Sequence, residues 1–239
     1  MNWDVYEACL FDLDGVLTPT AEVHMRAWAD MFSEFLNSRG AEPYTDADYF
    51  DHLDGRPRYE GVAALLQSRD LELPQGDPSD PIDAETVCGL GNRKDAAFNE
   101  VLQREGIQPY PGSVQLLDAL AERGIRFAVV SSSKNARPVL EAAGILDRFP
   151  VIVDGRVAAE EGIPGKPEPD TFTAAAERLG VPGKKSVVFE DALSGVRAGA
   201  AGDFGLVVGV DRGTGADRLT EAGADVVVTD LAELIDERG

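Results

Sequence analysis

Six short runs rich in β-branched and aromatic residues punctuate the chain. They are VYEACLF at 5–11, IRFAVV at 125–130, PVIVD at 150–154, SVVFE at 186–190, GLVVGV at 205–210 and ADVVV at 224–228. Amphipathic stretches lie between or after them, at 112–123, 135–143, 168–180, 191–201 and 230–237. Such alternation predicts an α/β fold, a doubly wound parallel sheet with helices on both faces. Right-handed crossovers then bring the C-terminal ends of the strands to one crevice, where ligands bind.

Residues 20–107 interrupt this pattern. Helical periodicity recurs at 21–38, 45–53, 57–68 and 84–105, and no convincing strand appears. A loop rich in proline and aspartate, ELPQGDPSDP, runs from 72 to 81. The expected organisation is a core of residues 1–19 and 108–239 with a helical insertion over 20–107, hinged near 16–20 and 107–112.

The 239 residues suit a core domain carrying a smaller insertion. At 44% hydrophobic and 27% charged residues, the class is soluble globular. Lys and Arg number 22 against 43 Asp and Glu, a net charge of −21. That field disfavours nucleic acid and anionic membranes. An anionic substrate therefore needs a local basic cluster. Two cysteines, Cys9 and Cys88, make no disulfide framework and fit a reducing compartment. MNWDVYEA carries neither a basic segment nor a long apolar run, and no later run approaches a membrane span of ~20 residues. The expectation is a cytoplasmic protein, by default a monomer.

The ends of the strands hold the chemistry. The first ends in Asp12-Leu13-Asp14, followed by Gly15. The second ends in Ser131, Ser132, Ser133, Lys134 and Asn135, the fourth in Glu190-Asp191. Lys166 stands in GKP, just before the stretch at 168. Two carboxylates as close as Asp12 and Asp14 repel each other unless a cation or proton offsets them. Mg²⁺ prefers carboxylate oxygens and often binds substrate phosphate. Asp12 and Asp191 suit direct ligation, with Glu190 as ligand or support. Lys166, Ser131 and backbone N–H groups suit the far side of a phosphate. An aspartate can attack phosphorus, and a second acid can protonate the leaving oxygen. Two extended residues rise roughly 6.6 Å, so a bend at Gly15 allows Asp12 and Asp14 to flank one phosphoryl group. The serine run and Glu190-Asp191 also suit helix capping; the functional reading rests on all four segments following strands of one sheet.

Taken in order, FDLDGVLT, VVSSS, GKPEPD and FEDALSGVRAG resemble the four motifs of the haloacid dehalogenase superfamily over essentially the whole chain. The resemblance implies a Rossmann-like core with a mobile helical cap, and Mg²⁺ as cofactor. It implies Asp12 as the phosphorylated nucleophile and Asp14 as general acid/base. Ser131, Ser132 and Lys166 would bind the transferring phosphate. Asp12, the Asp14 carbonyl and Asp191 would hold the metal, with Glu190 supporting. LFDLDGVLTPTAEVHMRAW further resembles the β-phosphoglucomutase subfamily. That likeness implies Thr20 and His24 at the hinge and Lys94 in the cap. Arg58, Ser133, Lys134 and Asn135 would contact a second, non-transferring phosphate. The implied reaction interconverts β-glucose 1-phosphate and glucose 6-phosphate through a bisphosphate. The loops at 72–81 and 160–165 are longer than in that pattern, and Arg56-Pro57 stands where smaller residues are expected. The alternative is a sugar-phosphate phosphatase. A non-catalytic phosphosugar binder is disfavoured because Asp12 and Asp14 are both present. A phosphonatase would need an imine-forming cap lysine, for which Lys94 is the candidate.

Overall fold

The computed structural model describes residues 1–235. Six strands form one sheet: β1 (Ala8–Phe11), β2 (Arg126–Val130), β3 (Val151–Val153), β4 (Ser186–Glu190), β5 (Leu206–Val210) and β6 (Val226–Val228). The order is β3-β2-β1-β4-β5-β6, and every pairing is parallel. The chain winds outward from β1 in one direction and resumes from β4 in the other. The switch point therefore lies between β1 and β4, where open α/β sheets bind ligands. All four residues of β1 are fully buried, because a central parallel strand is covered on both faces.

The chain divides into two compact units, Met1–Pro19 with Ile107–Gly239, and Thr20–Gly106. The second holds α1 (Thr20–Arg39), the short α2 (Asp46–Asp48), α3 (Arg58–Ser68) and α4 (Val87–Glu105). Trp28, Met31, Phe32, Phe35 and Leu36 repeat at helical spacing along α1. They pack with Leu53, Val62, Leu65, Leu66 and Leu90 into a separate apolar core. Arg69 closes this unit with an ion pair to Asp48 at 2.7 Å.

The sheet unit adds α5 (Pro111–Ala121), α6 (Ala136–Ala142), α7 (Gly155–Glu161), α8 (Asp170–Leu179), α9 (Leu193–Ala201) and α10 (Ala216–Ala222). Phe172, Ala175, Leu179, Val196 and Leu219 from these helices pack on Leu10, Val130, Val188 and Val207 of the sheet. Phe11 stacks on Phe189 at 4.5 Å and meets Phe127 and Phe149 edge-on. Where the chain leaves for the helical unit and returns from it, the core ties its own ends. Tyr110 N–H donates to the Leu17 carbonyl at 2.9 Å, and Ser113 Oγ donates to the Val16 carbonyl at 2.7 Å.

Several elements differ from the sequence reading. The first strand starts at Ala8, not residue 5; Trp3–Val5 forms a 3-10 turn. The Trp3 indole donates to the Leu234 carbonyl and stacks near Phe189, which turns the segment out of the sheet. The stretch 45–53 is not one helix, since α2 passes into a π-helical turn at Tyr49–Leu53. The stretch 230–237 gives a 3-10 turn at Leu231–Leu234, and its last two positions lie outside the described residues. Helices α7 and α10 have no counterpart in the sequence reading. Among the described residues, no helix is long and apolar enough to cross a membrane.

Candidate active site

The parallel register brings two acidic strand ends side by side. Phe11 pairs with Phe189, so Asp12 and Glu190 are the next residues on adjacent strands. Asp12 N–H donates to the Phe189 carbonyl at 2.9 Å and fixes that alignment. Asp191 follows Glu190, and one oxygen from each of Asp12, Glu190 and Asp191 lies within 4.8 Å of the others. All three residues are buried.

Lys166 enters this group from the segment before α8 and is 1% exposed. Its Nζ lies 2.5 Å from Asp12 Oδ1, 2.8 Å from Glu190 Oε2 and 3.1 Å from the Val130 carbonyl. An ammonium has three donors, and all three are engaged. Burial opposes its charge, but Asp12 and Glu190 outweigh that cost and raise its pKa. Burial also pushes the Asp12 carboxyl up to about 6; Lys166 pulls it down and Asp14 adds to the rise. At neutral pH Asp12 is thus mostly an anion held by a cation, and the ionised carboxylate is the form able to act as a nucleophile. Three carboxylates against one ammonium leave two negative charges. An all-oxygen set of that charge fits a hard divalent cation.

Glycines make the close packing possible. A Cβ at Gly195 would lie 2.1–2.4 Å from the Glu190 carboxyl group. A Cβ at Gly15 would lie 1.8 Å from Asp191 Oδ2, and the φ of +81° there strains any other residue. Gly15 N–H donates to the Thr18 carbonyl at 2.8 Å, which closes the turn that carries half-buried Asp14.

The serine segment beyond β2 is bonded to itself. Ser131 is buried, and its Oγ accepts from Ser133 N–H at 3.1 Å. Ser133 Oγ accepts from Asn135 N–H at 3.1 Å. Ser132, Lys134 and Asn135 are half-buried. Asp154 caps α7 through Arg156 and Val157 N–H, and Gly155 N–H donates to the Ser133 carbonyl. The serines therefore also support local structure, a role allowed for above.

In the helical unit, Arg58 opens α3 and pairs with Asp95 of α4 at 2.7 Å. Thr20 is buried at the start of α1. Lys94 is 4% exposed, with Nζ 2.5 Å from His24 Nδ1. Its charge rests over the rings of Trp28 and Phe98, and His24 stacks on Phe98 at 4.0 Å. Lys94 is thus packed in an aromatic box. The aromatic partners, Asp95 and the residues of the loop after β5 escaped the sequence reading. The loop after β5 had one available signal, since it too follows a strand of the sheet.

A family model for haloacid dehalogenase-like hydrolases matches residues 6–203. The chain is 51% identical to a β-phosphoglucomutase of Mycobacterium bovis, over 95% of this chain and 91% of that protein. Among solved structures, a β-phosphoglucomutase from Clostridium difficile matches with a TM-score of 0.77 at 26% identity, over 97% of this chain and 94% of that one. CbbY from Rhodobacter sphaeroides, crystallised with xylulose-(1,5)bisphosphate, matches with a TM-score of 0.72 at 26% identity, over 96% of both chains.

Proposed function

Since the chain belongs to the haloacid dehalogenase superfamily and is a phosphotransferase of its β-phosphoglucomutase-like branch, we propose that it interconverts β-glucose 1-phosphate and glucose 6-phosphate, with Mg²⁺ as the metal. The observation that carries phosphoryl transfer is the buried Asp12 carboxylate held at 2.5 Å by Lys166 beside Glu190 and Asp191. The mutase assignment draws on the likeness to a β-phosphoglucomutase over 95% of this chain.

Asp12 Oδ attacks phosphorus, and the bond from phosphorus to the sugar oxygen breaks. Asp14 gives its proton to that leaving oxygen. In the second half-reaction Asp14 takes the proton of the attacking sugar hydroxyl, and the phosphoryl group passes from Asp12 to that oxygen. Ser131, Ser132 and Lys166 hold the phosphate oxygens; Lys166 must then exchange one of its present bonds. Asp12, the Asp14 carbonyl and Asp191 would hold Mg²⁺, with Glu190 behind them. When bound, the ion neutralises charge on the phosphate and offsets the three carboxylates. We assign Arg58 to the phosphate that is not transferred, and an arginine fork suits it. That phosphate has to displace Asp95. We take Thr20–Gly106 as the cap and, by default, the enzyme as a cytoplasmic monomer.

Phosphorus NMR tests the assignment. The wild type should convert β-glucose 1-phosphate to glucose 6-phosphate, stimulated by a bisphosphate primer, with little free phosphate. Arg58→Ala should slow isomerisation far more than hydrolysis of a small aryl phosphate, which has no second phosphate. If free phosphate dominates with every sugar phosphate, or if Arg58→Ala slows both reactions equally, the enzyme is a phosphatase.

A further inference from the structure

The loop that follows β5 belongs to none of the four motifs, yet it bonds to two segments of the phosphoryl-transfer site. It is a compact turn. Asp211 N–H donates to the Val228 carbonyl at 2.8 Å, and Asp211 Oδ1 accepts from Gly213 and Gly215 N–H at 2.9 and 3.0 Å. From this base Arg212 Nε donates to the Gly15 carbonyl at 2.7 Å, and Nη1 donates to the Thr229 carbonyl at 2.8 Å. The guanidinium lies 3.9 Å over the ring of Tyr110. Its Nη2 is buried with no hydrogen-bond partner among the described residues. Thr214, 5% exposed, donates through Oγ1 to the Asp191 carbonyl at 3.3 Å.

From these contacts we infer that Arg212 and Thr214 are positioning residues: Arg212 fixes the peptide of Gly15 and with it Asp14, and Thr214 fixes Asp191. The inference rests on the roles proposed for Asp12 and Asp14.

Both backbone groups of Gly15 are engaged, the N–H by Thr18 and the C=O by Arg212. The Gly15 N–H and the Asp14 carbonyl share one peptide plane. Fixing Gly15 at both ends therefore fixes where the Asp14 carbonyl and side chain point. On its other side Gly15 packs against Asp191 so closely that a Cβ would collide with Oδ2. A shift of Gly15 thus moves the acid/base and a metal ligand together. Asp191 is held from the same loop by Thr214. Partners of this kind typically cost 10–100-fold when removed, and a misplacement of about 1 Å costs about 10²-fold. Lysine is a poor substitute at 212. A single ammonium does not reproduce the planar fork that spans two carbonyls and lies flat on Tyr110.

Leaving-group dependence separates this role from a general structural one. A sugar phosphate has a poor leaving oxygen and needs the proton of Asp14. A nitrophenyl phosphate has a good one and needs it little in the step that phosphorylates Asp12. With Mg²⁺ saturating for each protein, we expect Arg212→Ala to lower kcat on the sugar phosphate by about 10–100-fold, with KM nearly unchanged, and the burst rate of nitrophenol release, which reads phosphorylation of Asp12 alone, by less than about threefold. Arg212→Lys should recover only part of the loss and covers the case in which the alanine variant fails to fold. Thr214→Val should weaken Mg²⁺ binding in calorimetry, and Thr214→Ser should restore it. Equal losses on both substrates, full activity in the folded Arg212 variants, or unchanged metal affinity in Thr214→Val would overturn the inference. Failure of the parent reading looks different: Asp12→Asn would then remain active, or the wild type would turn over no phosphate ester at all.

Discussion

Replacing Lys166 by methionine should be the most destabilising conservative-volume change in the catalytic core. The side chain is 1% exposed and donates to Asp12, Glu190 and the Val130 carbonyl at 2.5, 2.8 and 3.1 Å. Methionine fills the space but leaves two carboxylates and a carbonyl without their donor. Removing one partner of a buried ion pair typically costs about 3–5 kcal/mol, because the remaining charge is stranded. Here one cation serves two anions, which puts the expected loss at the upper part of that range. In a chain of this size each kcal/mol lowers the melting temperature by about 2–4 °C, so a loss of about 4–5 kcal/mol should lower it by about 8–20 °C. Melts followed by circular dichroism in EDTA measure it. Adding Glu190→Gln to Lys166→Met removes one stranded charge and should return about 1 kcal/mol or more, although Glu190→Gln alone destabilises. A Lys166→Met variant that melts within about 2 °C of the wild type would refute the reasoning. So would a double variant no more stable than the single effects add up to.

Asp12→Asn should fold and lose nearly all turnover, because an amide cannot form the aspartyl phosphate; more than a few per cent of residual activity sinks the covalent role. It should also gain stability over the wild type as pH rises. Burial lifts Asp12 to about 6, so the folded state keeps a proton that the unfolded chain releases from about pH 4. The stability Asp12 contributes is whole below pH 4 and lost as pH rises through 6. Urea unfolding of both proteins in EDTA at pH 4.5 and 7.5 reads the difference. Asp14→Ala should lower turnover by about 10²–10⁴-fold, yet weaken Mg²⁺ less than Asp191→Ala does; calorimetry showing the reverse order exchanges their roles. Gly15→Ala should cost about 1–2 kcal/mol for its left-handed backbone alone and displace Asp191, so its Mg²⁺ affinity should fall; unchanged binding would show that the turn yields without moving the ligand.

Much of the sheet was legible because its strands are unbroken apolar runs that stop at turn residues. SVVFE reads as a strand over the same five residues that form β4. What failed had a physical cause. Helix α7, GRVAAEE, has no buried residue, and α10 has only Leu219, so neither shows a face to count. Val5 and Tyr6 look like strand residues, but Trp3 draws the segment into a turn. At the site, the acids and Lys166 could be gathered at strand ends from order alone. The pairing of Lys166 with Asp12 needed the register of β1 and β4. Asp95 is legible only as the next residue after Lys94. That it meets Arg58 follows from the packing of α3 on α4. Arg212 is a lone arginine in a turn, and no local pattern distinguishes it from a solvated one.

The two short bonds that tie Val16 and Leu17 to Ser113 and Tyr110 bear on how such enzymes diversify. They close the gap in the core where the helical unit is spliced in, using only core residues. The spliced unit has an apolar core of its own. Loop-closure cost rises only slowly with length, by about 0.6 kcal/mol per doubling. The sheet is therefore nearly indifferent to what lies between those anchor points. A few residues or a whole helical module can occupy the same junction while Asp12, Asp14 and Lys166 keep their supports. Substrate range and phosphoryl chemistry can then vary as separate inherited parts, one exchanged at a fixed socket while the other stays constant.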